Sequence, residues 1–265
     1  MASTKTGSLG RTGVVASDCM QVIPRIDGES GSSYSYRVLY YNILMLYMPP
    51  GSWIRESAIA QKLGLSRTPV HEAVALLNDR HLVDVAPQSA THVSCIDISM
   101  LRQGCFLRSS IEPLVFKQVA VSISNEYRTA LSKNLEAQRE IPAGNRPEDE
   151  YLYLDNIFHR LVYQAAGKDF IWEQLRRASA PYDRVRYMGL LFGYDHPSIE
   201  DHEFLFRYLT LGGIPDEEVL DLIHAHLARY VSFFDRLATD FPEYFVFDEE
   251  QPDPISSEEP MSLIV

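Results

Sequence analysis

The stretch from Glu56 to Leu77 allows very little besides two short helices joined by a tight turn. Glu56 to Leu63 is amphipathic and ends at Gly64, a residue that adopts the left-handed conformation closing a helix without steric cost. Ser66 then stands where the next helix begins, its hydroxyl placed to accept from a free N–H of the first turn, and Pro69 is tolerated so close to that end. Val70, Ala73, Val74 and Leu77 make the buried stripe of the second helix. Upstream, Tyr36 to Met48 has apolar residues at 38, 39, 43, 46 and 47, and Pro49-Pro50-Gly51 stops that helix. Downstream, Leu82 to Val85 and Thr91 to Ser94 alternate around Pro87-Gln88-Ser89, which predicts a small hairpin. Helix, helix, tight turn, helix, hairpin is the order of a winged helix-turn-helix, here over residues 34–95.

In such a motif the second helix of the pair offers its N-terminal residues to base edges in the major groove. The presenting face is Ser66, Arg67, Thr68 and His71. Arg67 can donate two parallel bonds to guanine, and the hydroxyls of Ser66 and Thr68 suit phosphate or base. The alternative is a merely capped surface helix. Overall charge argues against nucleic acid, because the 265-residue chain carries 36 acidic and 24 basic side chains, a net −12. Total charge, however, says nothing about placement. Residues 1–34 are neutral, 35–95 carry +1, 96–238 carry −5, and 239–265 carry −8. The acidity therefore lies outside the reading segment.

Pro49-Pro50-Gly51 followed by Glu56-Ser57-Ala58-Ile59-Ala60-Gln61-Lys62-Leu63-Gly64-Leu65-Ser66-Arg67-Thr68-Pro69-Val70-His71-Glu72-Ala73 resembles the DNA-reading domain of the GntR family of bacterial transcription regulators. The resemblance implies DNA contacts from Ser66, Arg67 and Thr68, and from Ser57 and His71. His71 stands where the family usually has arginine, and Pro87-Gln88-Ser89-Ala90 lacks the usual basic, glycine-containing wing.

The flanks are read as tails. Residues 1–33, rich in Ser, Thr and Gly, predict a disordered N-terminal tail without an apolar signal segment. Residues 239–265, with Pro252, Pro254 and Pro260, predict an acidic and mostly unpacked C-terminal tail, although Phe241, Tyr244, Phe245 and Phe247 could dock. No apolar run approaches the roughly 20 residues that span a bilayer, so no membrane partner is expected. Cys19, Cys95 and Cys105 form no disulfide framework or metal finger and suit a cytoplasmic location.

From Asp97 to about Leu237 the pattern is almost wholly helical, with breaks at 141–147, Gly167, 193–197 and 212–215. It predicts six or seven helices in a bundle, with Leu101, Phe106, Leu107, Ile111, Leu114, Val115, Val219, Leu220, Ile223, Leu227, Tyr230 and Phe234 in its core. The fold class is thus mainly α, an N-terminal winged helix-turn-helix followed by an all-helical domain over 96–238. Asp155 and His159 are four apart and share a helix face, a usual way to supply two metal ligands. His202 follows Asp201, and His224 and His226 lie on the last helix, too far apart around it to share one ion easily. A lone histidine on a helix is more often structural.

The arrangement resembles the FCD ligand-binding domain of FadR-type GntR regulators. That resemblance implies a divalent ion held by Asp155, His159, His202 and His226, zinc first, with nickel or manganese as alternatives. Family spacing would select His224 as the last ligand, whereas the following leucine and the apolar face select His226. It also implies that Arg108, ahead of Ile111-Glu112-Pro113, clamps a carboxylate effector. The expected protein is a homodimer binding a pseudo-palindromic double-stranded operator and responding to a small organic acid. No general base, nucleophile motif or phosphate loop is visible, so a metal-dependent enzyme acting on a small carboxylate is the second reading, and a metal-free pocket for an apolar ligand the third.

Overall fold

The computed structural model describes residues 14–85, 91–141 and 147–247. It divides into two compact units, one built from residues up to Ile98 together with the segment from Ala238, the other from Ser99 to Leu237.

The first unit is organised around three helices. α1 (Ala16–Cys19) is a single turn, followed by α2 (Gly31–Leu44), α3 (Glu56–Leu63) and α4 (Arg67–Asn78). Val38, Leu39 and Ile43 of α2 are buried together with Val70, Ala73, Val74 and Leu77 of α4. α2 starts earlier than its apolar periodicity indicates, because Ser30 caps it by accepting from Ser33 N–H. It also ends four residues earlier: Leu46 turns into the left-handed region at φ 52°, and Met48 N–H bonds back to Asn42 C=O. Gly64 does close α3 in the left-handed conformation. β1 (Val83–Asp84) and β2 (His92–Val93) pair antiparallel as the predicted hairpin, whose tip at Pro87-Gln88-Ser89-Ala90 lies outside the described residues.

Residues 14–33 depart from the expected disordered tail. Val15 bridges to Trp53, Lys62 Nζ donates to Ser17 C=O and Met20 C=O at 2.8 Å each, and Asn42 Nδ2 donates to Gln21 C=O at 2.8 Å. Ala16 and Met20 are buried. Such tertiary contacts order a segment whose composition gives it no intrinsic structure. The C-terminal segment departs likewise: β4 (Phe245–Val246) pairs in parallel with β3 (Ile96–Asp97), and Phe245 is buried. Residues 1–13 and 248–265 of the two expected tails lie outside the described residues.

The second unit is helical among the described residues. α5 (Ile98–Val121), α6 (Asn125–Arg139), α7 (Pro147–Ala165), α8 (Asp169–Ala178), α9 (Ala180–Leu191), α10 (Ile199–Leu211), α11 (Asp216–Ala228) and α12 (Val231–Asp240) give eight helices where six or seven were expected. Of the additional breaks, the one at Ser179 is marked only by Pro181 in the first turn of α9, and the one at Arg229–Tyr230 interrupts apolar periodicity with no Gly or Pro stop signal. Phe106, Leu114 and Leu220, expected in the core, are exposed, whereas Leu101, Val115, Val219, Ile223, Leu227, Tyr230 and Phe234 are buried. No described helix is long and apolar enough to cross a membrane.

Candidate metal and effector centre and DNA-reading face

Ser57, Ser66, Arg67, Thr68 and His71 are all exposed on the first unit, and the last four lie at the start of α4. Ser66 occupies the N-cap position, but its side chain makes no cap hydrogen bond, contrary to the expected role. Its hydroxyl is therefore not committed to the helix. Sequence reasoning passed over Glu56. Its carboxylate forks between Arg67 Nε at 2.9 Å and His71 Nδ1 at 2.9 Å, while Arg67 and His71 keep 73% and 70% of their side-chain surface exposed. Burial alone would raise the Glu56 carboxyl, but His71 and Arg67 hold it below its ordinary value. The fork holds both side chains at the start of α4 while leaving them largely exposed.

In the second unit, α7 supplies Asp155 and His159, α10 supplies His202, and α11 supplies His226. One potential ligand atom from each lies within 4.8 Å of the others, and all four residues are buried. His224 is outside this group and only partly buried. Ring centroids of the three clustered histidines are 5.2–5.6 Å apart.

Oxygen acceptors stand behind each imidazole. His202 Nδ1 meets Gln138 Oε1 at 2.8 Å, His226 Nδ1 meets Asp201 Oδ2 at 3.0 Å, and His159 Nδ1 faces Glu112 Oε2 at 3.1 Å. An amide oxygen or carboxylate can only accept, so the His202 and His226 contacts favour the proton on Nδ1 and leave the Nε2 lone pair free, whereas His159 Nδ1 lies near Glu112 without a hydrogen bond that would fix its tautomer. All three Nε2 atoms are buried without a hydrogen-bond partner. Three imidazole nitrogens and a carboxylate converging in a buried space fit a divalent cation, and the acceptors behind them fit the outer support such ligands use. Burial pushes His226 down to about 4 against the pull of Asp201, and pushes His202 down as well. These two rings are therefore neutral, and able to ligate, near pH 7.

Arg108 is fully buried on α5. Its Nε donates to Glu112 at 2.5 Å, while Nη1 and Nη2 have no hydrogen-bond partner. Arg186 on α9 grips Asp155 with both terminal nitrogens, at 3.1 and 2.8 Å. Although burial opposes its ionisation, Asp155 is held well below the carboxylate range by Arg186 and His202. Both guanidiniums lie against Tyr182, 5.3 Å and 5.4 Å from its ring centre. A small cleft that reaches His226 is lined by Tyr151, Tyr182, Arg186, Ser198, Arg229 and Tyr230 among others.

Glu112, Gln138, Tyr182 and Arg186 were not singled out from the sequence. The four-residue spacing of Arg108 and Glu112 was a usable signal. Arg186 gave none, because α9 is buried along almost its whole length and has no polar face to mark its orientation.

Residues 36–93 match the family of bacterial regulatory proteins described as gntR, and residues 105–213 match the FCD domain. The first span holds all five residues expected at the DNA. The second holds Arg108, Asp155, His159 and His202, with His226 beyond it. The chain is 32% identical over 163 residues to the HTH-type transcriptional repressor RspR of Escherichia coli, covering 62% of this chain and 69% of that one. It is 27% identical over 228 residues to an HTH-type transcriptional regulator in an unstable DNA locus of Streptomyces ambofaciens, covering 84% and 92%. In fold it is similar to E. coli McbR/YncC, with a TM-score of 0.67 at 16% identity over 79% of this chain and 99% of that one. A GntR regulator from Rhodococcus gives 0.60 at 18% identity over 76% and 95%.

Proposed function

Since this chain belongs to the gntR family of bacterial transcriptional regulators and carries an FCD domain behind its DNA-binding domain, we propose that it is a metal-dependent sensor of a small carboxylate that binds a pseudo-palindromic operator as a homodimer. The observation that carries the sensor reading is the buried quartet of Asp155, His159, His202 and His226 with its three unpartnered Nε2 atoms. A zinc, nickel or manganese ion there would supply an electrophilic seat for one carboxylate oxygen. Arg108 would clamp the acid with terminal nitrogens that have no other partner.

At the DNA, Arg67 reads a base edge while Ser57, Ser66 and Thr68 hold phosphate, and His71 completes the face with Glu56 fixing its ring. The net charge of +1 over 35–95 makes nonspecific affinity modest and the salt dependence shallow. Dimerisation is supported by α5, where Phe106, Leu114 and Val121 fall on one helix face at 51%, 68% and 84% exposure, a stripe of the kind a partner surface covers. The effector acts by preferring one arrangement of the paired DNA-reading domains, and a coupling of about 1–3 kcal/mol changes operator occupancy several-fold or more.

Selection of bound genomic fragments by the purified protein tests this directly. A two-fold related sequence should emerge, and Arg67→Ala should lose it while the protein stays dimeric. Unchanged sequence-specific binding by that variant would remove the basis for this DNA-reading face.

A further inference from the structure

Resting on the DNA-reading face above, we infer that His71 engages DNA as an imidazolium, donating from Nε2 to an acceptor on the duplex, so that operator binding takes up a proton at each half-site.

The bonding of the ring carries this. Glu56 meets His71 Nδ1 with one carboxylate oxygen at 2.9 Å, and against the pull of burial, His71 and Arg67 hold the Glu56 carboxyl below its ordinary value, so it is ionised near neutral pH. A carboxylate can only accept, which places the first ring proton on Nδ1. Nε2 has no partner among the described residues, and the side chain keeps 70% of its surface exposed at the start of α4. In the neutral ring that nitrogen is a lone pair. Phosphate oxygens and the guanine edge in the major groove are acceptors too, so a lone pair repels them. One more proton turns Nε2 into a donor and leaves the bond to Glu56 intact.

The surrounding charges set the direction. Glu56 from α3 favours the imidazolium and Arg67, one turn earlier on α4, opposes it, and both draw on the same carboxylate. α2 and β1 pack on the buried stripe of α4, and among the described residues neither sends an ion pair or hydrogen bond to His71. Arg55 and Glu72, exposed next to Glu56 and His71 in sequence, are of opposite sign and bond to neither. One carboxylate therefore stands against two cations, and the free protein reserves no counter-charge for the second. DNA supplies it, because its phosphates bring a dense row of negative charge to this face. Imidazole is the side chain that changes charge between pH 5 and 8, so the contact is conditional on pH where an arginine would hold its charge throughout.

The test uses the full chain and a fluorescein-labelled duplex cut from the genomic fragments the protein selects, with a scrambled duplex beside it. A duplex that raises the proton affinity of each ring about tenfold should, with two rings per dimer, raise operator affinity at least about tenfold from pH 8 to pH 6 in fluorescence anisotropy. His71→Gln should cut that rise to roughly threefold or less. His71→Arg should flatten it and bind more tightly than the parent at pH 8, while His92→Gln, on the hairpin, should keep it. Calorimetry of the parent at pH 7 in phosphate and in Tris, whose ionisation enthalpies differ, should show net proton uptake that His71→Gln loses. A rise shared by the scrambled duplex assigns the acceptor to phosphate, and one confined to operator assigns it to a base edge. Equal pH profiles in the parent and His71→Gln, or no proton uptake by the parent, would overturn the proposal. So would an opposite slope, the result expected of a neutral ring accepting from a cytosine or adenine amino group. Sequence-specific binding that ignores pH but is lost in Arg67→Ala sinks the proton alone, whereas Arg67→Ala binding like the parent removes the DNA-reading face itself.

Discussion

Removing the metal should lower the thermal stability of the second unit by an amount the structure lets us calculate. An ion that binds only the folded state stabilises it by about 2.7 kcal/mol when its free concentration is roughly 100 times Kd. The quartet draws on three helices, α7, α10 and α11, so it exists only when the bundle is folded. The unit from Ser99 to Leu237 unfolds with an entropy of about 0.3 kcal/mol per degree, taking roughly 2 cal/mol/K per residue. The melting temperature should therefore rise by about 9 °C on saturation. Differential scanning calorimetry in chelator, and then with zinc, nickel or manganese, measures this. His159→Gln should abolish most of the shift, because it removes one of the unpartnered Nε2 atoms, whereas His224→Gln should retain it, because His224 stands outside the quartet. No shift with any of the three ions, or an equal shift in His159→Gln, would refute the argument.

Other consequences are testable on the same protein. Gly104→Ala should destabilise by up to about 2 kcal/mol in urea unfolding: the new Cβ would stand 2.6 Å from the Ala178 carbonyl oxygen, backbone that cannot rotate away, and overpacking of about 1–3 kcal/mol outweighs the helix-propensity gain of about 1. Glu56→Gln should lower the ratio of operator to nonspecific affinity in fluorescence anisotropy by up to about tenfold. It removes a negative charge beside the DNA and frees the Arg67 stem, where a well-held base contact is worth about 1–3 kcal/mol of discrimination. Glu29 is held down to about 2, chiefly by its hydrogen bonds from Arg37, against 4.5 in an unfolded chain. A depressed carboxyl stabilises above pH 4.5 and loses that contribution as pH falls toward 2, so amide protection at the start of α2 should drop across that window and lose this dependence in Glu29→Gln.

The DNA-reading helices were legible because their signals are local: a glycine that must turn, a proline pair that must stop, and apolar residues at helical spacing. The ligand quartet was partly legible, since Asp155 and His159 share a helix face, while the choice between His224 and His226 depended on which side of α11 meets α7 and α10. Arg186 and Tyr182 gave no signal, because a helix buried all round has no amphipathic pattern to reveal its inward face. The ordering of residues 14–33 was invisible for a related reason. Their structure comes from Asn42, Trp53 and Lys62, residues distant in sequence, and the Ser and Gly content of the segment describes only its unfolded behaviour. Phe106 and Leu114 misled in the opposite direction, since periodicity identifies an apolar face and not what covers it.

The parallel pairing of Ile96–Asp97 with Phe245–Val246 makes the helical second unit, among the described residues, an insertion within the first unit rather than an appendage to it. Among the described residues the chain leaves that unit after Ile98 and returns to it at Ala238. The same pairing determines how the halves can be separated. Cutting the gene after residue 98 strips a strand from the DNA-reading unit, and a faithful excision would have to join residue 98 to residue 238 with a short linker.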